Sequence, residues 1–180
     1  MSHKILVVTG SPRKKGNTNL LADAFIQGAE AAGNEVYRFD AGRAQIKGCL
    51  DCKYCFAHDG ECAQKDDMQE AYPLLHECDI LVLASPIYFF TISAQIKAFI
   101  DRLFCSVTKP FAIKSTALLT VQEDKDPAVA DNAANTYRSI ISYTNWKDLG
   151  VVSVPGVSEA GAIIGNAKLD EARELGAGIK

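Results

Sequence analysis

Four cysteines, Cys49, Cys52, Cys55 and Cys62, form a C-x2-C-x2-C-x6-C run within one short stretch. Spacing this close lets several thiolates face one centre, and soft sulfur ligands select zinc or iron–sulfur clusters over hard cations. The first three match the opening of a bacterial ferredoxin run; the fourth comes late and no proline follows it. Ligand type and spacing leave three readings open: a 4Fe–4S cluster, zinc, or free, redox-active thiols. A second chemical stretch runs from Thr9 to Thr18 and reads T-G-S-P-R-K-K-G-N-T. Ser11, Asn17 and Thr18 offer side-chain donors, and Arg13 offers a guanidinium that can fork onto phosphate oxygens. Gly10 and Gly16 permit a tight turn and close approach of a ligand to the backbone. Five residues separate the two glycines and Asn17 follows, so this is not a Walker loop, and G-x-G-x-x-G is absent.

The elements around that loop explain why it would bind an anion. Ile5-Leu6-Val7-Val8 is too short for a helix and reads as a buried strand. After the loop, Leu20, Leu21, Ala24, Phe25, Gly28 and Ala32 share one helical face. The loop therefore joins a strand to a helix N-terminus, where free N–H groups and the positive dipole end meet. Farther on, strands are predicted at Glu35 to Phe39, Asp79 to Ala84, Ser115 to Val121 and Val151 to Val154. Helices are predicted from Asp66-Asp67 to about His76, over Thr91 to Cys105, after Asp126-Pro127, and over Asn166 to Leu175 with Gly176 as the stop. Five strands alternating with helices predict a doubly wound α/β fold with a parallel sheet in flavodoxin-like order 2-1-3-4-5, one domain over residues 1–180. Ligands in such sheets sit at the switch point, between the first and third strands.

The loop after the third strand is Ser85-Pro86-Ile87-Tyr88-Phe89-Phe90, with Pro86 expected to end the strand. An aromatic-rich loop there makes a wall for a flat, partly apolar ring, with backbone amides for ring heteroatoms. Phosphate at one strand end and a flat ring at the next describe a mononucleotide-type cofactor, and FMN fits. The segment after the fourth strand, Thr120 to Glu123, is a third candidate contact without a motif of its own.

Composition narrows the class. At 180 residues and 48% hydrophobic, the chain can bury one sizeable core. A net charge of −3 makes no general case for nucleic acid, and the basic cluster Arg13-Lys14-Lys15 is local. The longest apolar run, Ile80 to Phe90, is too short to span a bilayer. The expectation is a soluble, cytoplasmic protein whose cysteines are not structural disulfides.

The motifs G-S-P-R-K-K-G-N-T, D-D-M at Asp66 to Met68, S-P-I-Y-F-F at Ser85 to Phe90, and S-A-Q-I-K-A-F-I-D-R at Ser93 to Arg102 resemble the NADPH-dependent FMN reductase family of the flavodoxin superfamily. The resemblance is strong over about residues 4–105. It implies that Ser11, Arg13, Gly16, Asn17 and Thr18 hold the FMN phosphate. It also implies that Pro86, Ile87, Tyr88 and Phe89 line the isoalloxazine, with Ser85 entering the loop. Phe89 stands where the family often has Trp. The cysteine run is similar to that of iron–sulfur flavoproteins, a branch carrying a 4Fe–4S cluster, although relatives with similar cysteines lack one. Asp101-Arg102 belongs to the family pattern and is read as a structural ion pair.

The activity implied is an FMN-dependent NAD(P)H oxidoreductase, with NAD(P)H as co-substrate and a small molecule or a protein as electron acceptor. The alternative is an electron carrier of flavodoxin or iron–sulfur flavoprotein type without NAD(P)H turnover. Residues 41–65 read as a long loop with four cysteines, Tyr54 and Phe56. Such a loop is uncommon unless functional or covered, so a homodimer with this segment at the interface is expected.

Overall fold

The computed structural model describes residues 2–180. Its first strand, β1 (Lys4–Thr9), is almost wholly buried, and helix α1 (Asn17–Ala31) follows the phosphate-loop candidate. Gly33, at φ 88°, ends that helix region in the left-handed conformation and leads into β2 (Glu35–Phe39). The segment after β2 carries only a single short helix, α2 (Tyr54–Ala57), before α3 (Met68–Glu77). Then come β3 (Ile80–Tyr88), the two-residue β4 (Thr91–Ile92) and α4 (Ala94–Arg102). The chain closes with β5 (Ser115–Val121), α5 (Asp131–Thr144), β6 (Lys147–Val154) and α6 (Lys168–Ala177).

The parallel sheet runs β2-β1-β3-β5-β6, which is the expected flavodoxin-like order once the small β4 is set aside. β4 is an addition: it pairs antiparallel with the end of β3, Ile87 opposite Ile92 and Tyr88 opposite Thr91. Two apolar layers cover the sheet. On one face Val7, Val82 and Leu119 pack under α1 and α6 around Phe25. On the other Leu6, Leu81 and Leu118 pack under α3, α4 and α5 around Phe99 and Tyr137.

Four sequence expectations are corrected. Pro86 does not end β3, which continues to Tyr88. The N–H of Gly10 donates to Ala84 O, so Ala84 directs its polar groups toward β1, and Pro86, two residues on, does the same. β1 has already ended at Thr9, so the N–H that proline lacks has no ladder partner to lose. Second, α4 begins three residues late because Thr91 and Ile92 are drawn into β4 and Ser93 becomes the N-cap, accepting from Ile96 N–H.

Third, Gly176 lies inside α6 and does not stop it. A Cβ there would stand 2.2 Å from Phe25 O, and one at Gly28 would stand 1.9 Å from Arg173 O. The two glycines let α1 and α6 touch backbone to backbone. Fourth, Arg102 does not pair with Asp101. Neighbours on a helix point about 100° apart, so Asp101 takes Lys97 at 2.5 Å while Arg102 turns inward to Asp66 at 2.7 Å.

Candidate functional site

The phosphate-loop candidate and the loop at the end of β3 come together on one open cavity of about 490 Å³. Ser11, Arg13, Gly16, Asn17 and Thr18 line one side, and Pro86, Ile87 and Tyr88 another. Val121, Gln122 and Glu123 complete it, within the segment singled out after the fourth parallel strand. Val157 and Ser158, from the loop after β6, also line it. No sequence signal marked those two, because an apolar residue and a serine in a loop carry no motif.

Contacts within the chain itself shape the loop. Gly16 caps α1 with extended backbone and its carbonyl accepts from the Asn19 and Leu20 N–H groups, which leaves those of Asn17 and Thr18 without intrahelical acceptors. A Cβ on Gly16 would lie 2.9 Å from Ser11 Oγ, so glycine lets the loop fold onto its own serine. Ser11 Oγ accepts from Arg13 N–H at 3.3 Å, which leaves its hydroxyl proton to donate. Asn17 Nδ2 donates to Glu159 O at 2.8 Å while its Oδ1 accepts from Ile163 N–H at 3.3 Å. Arg13 Nη1 donates to Ser158 O at 3.3 Å. Gly10 has a different purpose from the one expected: a Cβ there would collide with Ile96 Cγ1 at 2.2 Å, so it makes room for α4 and not for a ligand.

Two of the residues expected at the cofactor, Ser85 at the loop entry and Phe89 in the ring wall, lie off the cavity. Ser85 is fully buried; its Oγ accepts from Ser93 N–H at 2.9 Å and donates to Pro86 O at 2.8 Å. It fixes the β3–β4 hairpin to the start of α4. Phe89 is 94% exposed at the hairpin tip. Phe89 and Phe90 have φ of 47° and 69°, the left-handed values a two-residue hairpin turn needs and bulky residues rarely adopt. Backbone strain of this kind concentrates at ligand-binding positions.

The cavity's chemistry suits a phosphorylated flat ring. One side presents a helix N-terminus with hydroxyl, amide and guanidinium donors. The other presents the end of a buried strand with Ile87 and half-exposed Tyr88. Gln122 Nε2 is held by Asp124 O at 3.2 Å and Asp126 O at 2.5 Å. Those bonds fix the amide's orientation beside the cavity. The residues present therefore fit FMN.

The four cysteines line a second cleft, of about 360 Å³, with Gln64, Arg102 and Cys105. Asp51 and Lys53, at φ 50° and 59°, turn the chain sharply between Cys49 and Cys55, and Asp51 N–H donates to Cys49 Sγ at 3.4 Å. Burial pushes the Cys55 thiol above its ordinary range, and the neighbouring Cys62, Cys49 and Cys52 add to it. Among the described residues, no three His, Cys, Asp or Glu side chains are placed to hold one metal ion. His58 stacks on Tyr54, ring centres 3.6 Å apart. Cys105 is buried and borders this cleft as well.

A parallel sheet in this order, with a phosphate-type loop after its first strand, defines a flavodoxin-like α/β protein. The family described as NADPH-dependent FMN reductase matches residues 3–158, and the chain belongs to it. An iron-sulfur flavoprotein of Archaeoglobus fulgidus is 42% identical over 100 residues, 56% of this chain and 45% of that protein. One from Methanosarcina thermophila is 29% identical over 166 residues, 91% of this chain and 83% of that protein. The chain spans about half the length of the first curated relatives it matches. Among solved structures, the NAD(P)H:quinone oxidoreductase from Methanothermobacter marburgensis superposes with a TM-score of 0.78 at 16% identity. The match covers 100% of this chain and 97% of that one, and it shows the shared fold. No helix among the described residues is long and apolar enough to cross a membrane.

Proposed function

We propose that the protein is an FMN-dependent NAD(P)H oxidoreductase that delivers electrons to a separate acceptor. The observation that carries this reading is the single cavity shared by the Ser11–Thr18 loop and the Pro86–Tyr88 strand end. When bound, FMN supplies hydride acceptance from a nicotinamide and electron release to an acceptor. Ser11, Arg13, Asn17, Thr18 and the first-turn N–H groups of α1 hold its phosphate. Pro86, Ile87 and Tyr88 position the ring. The cavity is open on the exposed side, which leaves room for a flat co-substrate.

We read the four-cysteine cleft as the place of a 4Fe–4S cluster ahead of zinc. Four thiols, soft ligands that suit such a cluster, border one cleft. Cys49, Cys52, Cys55 and Cys62 would hold the cluster. The names of the relatives agree with this assignment.

A homodimer is part of the reading. Leu50, Phe56, Phe104 and Tyr143 are 68%, 48%, 38% and 78% exposed, and Phe56 rests 5.8 Å from Phe104. Apolar exposure around the cysteine segment supports its burial against a second copy.

The test is steady-state oxidation of NADPH and NADH by anaerobically purified, FMN-loaded protein, with quinone, nitro and azo acceptors. Turnover above free FMN supports the oxidoreductase. Flavin that binds but is never reduced by either nucleotide supports the electron-carrier alternative. Light scattering on the same sample reads the assembly.

A further inference from the structure

Arg102, the last residue of α4, is 2% exposed, a rare state for an arginine. Its Nη1 donates to Lys47 O at 3.0 Å and to Asp66 Oδ2 at 2.7 Å, and its Nη2 to Gln64 O at 3.5 Å. Lys47 lies two residues before Cys49, and Gln64 two residues after Cys62. One guanidinium thus holds both ends of the cysteine segment. Its remaining nitrogen, Nε, is buried without a partner, and Arg102 borders the cleft that the four cysteines line. An unpaired, buried, charged donor is costly. A group of thiolates beside it would supply the missing acceptor and the missing negative charge.

The opposite end of α4 anchors the two loops that lead into the flavin cavity. Its N-cap Ser93 donates N–H to Ser85 Oγ at 2.9 Å and Oγ–H to Gly10 O at 3.2 Å. These bonds secure the β3–β4 hairpin and the start of the phosphate loop. Arg102 lies nine positions after that cap, about 14 Å along the helix at 1.5 Å per residue.

We propose that Arg102 is the positioning residue of the cysteine site. It clamps residues 47 and 64 together so that four thiols face one cleft, and it keeps its Nε–H for the anionic metal–thiolate group. α4 then acts as a strut that fixes this site relative to the flavin cavity. This rests on the reading of Cys49, Cys52, Cys55 and Cys62 as cluster ligands. The added charge also has a sign: a cation beside the cluster favours the more negative, reduced state and raises its midpoint potential.

The experiment compares wild type, Arg102→Gln and Arg102→Lys after reconstitution of cluster-free protein with ferrous iron and sulfide. Bound iron, the midpoint potential by EPR-monitored titration, and the thiol-labelling rate of the cluster-free protein are measured. Circular dichroism and FMN titration confirm that each variant is folded. Arg102→Gln is expected to lose about 10- to 100-fold in iron affinity, the usual effect of removing an outer-shell partner. It should also label faster and shift any residual cluster to lower potential. Arg102→Lys should restore the potential, because the charge returns, and leave labelling fast, because the two-ended fork does not. Wild-type iron content and potential in Arg102→Gln would overturn the proposal. If wild type itself takes up no iron and sulfide, the cluster reading fails. Labelling then decides the clamp alone: slower in wild type than in Arg102→Lys keeps it, and equal rates overturn it. Should Arg102→Gln not fold, Asp66→Asn, which removes one arm and leaves the cation, is read by the same measurements.

Discussion

Arg13 is bound to Ser158: Nη1 of the guanidinium donates to the serine carbonyl at 3.3 Å, and both residues border the ligand cavity. The contact ties the first loop of the chain to the loop after its last strand. It uses only one nitrogen of the fork, so the others remain for a phosphate. Replacing Arg13 with Ala removes a charge-assisted contact worth about 1.5–3 kcal/mol, which weakens FMN about ten- to a hundredfold. Fluorescence titration of FMN measures the change; unaltered affinity would place the phosphate elsewhere.

The hairpin tip gives a prediction of opposite sign for stability and for binding. Phe90 at φ 69° costs about 1–2 kcal/mol relative to an ordinary conformation, and glycine is free of that cost. Phe90→Gly is therefore expected to raise the thermal midpoint of the FMN-free protein and to weaken FMN. Paired thermal melts with and without FMN read both effects. A variant that is stabilised and binds FMN as wild type would show that the turn has no part in the site.

Acid sensitivity follows from Asp66. Burial alone would raise its pKa, but hydrogen bonds from Arg102, the Lys47 N–H and the Met68 N–H outweigh it, so it lies below the ordinary 3.8. A carboxylate depressed in the fold stabilises it above the unfolded value, and that contribution is lost as pH falls through the folded one. The stability gap between wild type and Asp66→Asn should be full above about pH 5 and shrink below pH 3.8. Denaturant midpoints across that range test it, and a constant gap would remove Asp66 as the cause.

Gly176→Ala tests the backbone contact between α1 and α6. A methyl placed 2.2 Å from Phe25 O forces the helices apart, at about 1–3 kcal/mol. For a chain of this length each kcal/mol is about 2–4 °C in thermal midpoint. A melt unchanged within a degree would mean that the helices separate at no cost.

Most of the architecture was legible because it rests on local pattern. Apolar runs such as Ile5 to Val8 and Ile80 to Ala84 have no stable place except a buried parallel strand, and a helix start such as Asp126-Pro127 marks its own position. What escaped depended on partners distant in sequence. Pro86 reads as a strand breaker until β1 is seen to end opposite Ala84, two positions earlier. Gly176 reads as a helix stop until Phe25 is found against it. Arg102 reads as the neighbour of Asp101, although its partners lie 36 to 55 residues away. The site divided the same way. The phosphate loop is contiguous and could be read directly, whereas Val157 and Ser158 reach the cavity only through the fold.

The central claim is that the Ser11–Thr18 loop seats the phosphate of a flavin mononucleotide. The most direct measurement is calorimetric titration of the wild-type protein with FMN and, separately, with riboflavin, which has the same ring and no phosphate. Loss of the charged contacts from Arg13 and the helix start predicts binding of FMN at least about tenfold tighter than riboflavin. The preference should weaken as salt is raised. Equal affinity for the two would contradict it.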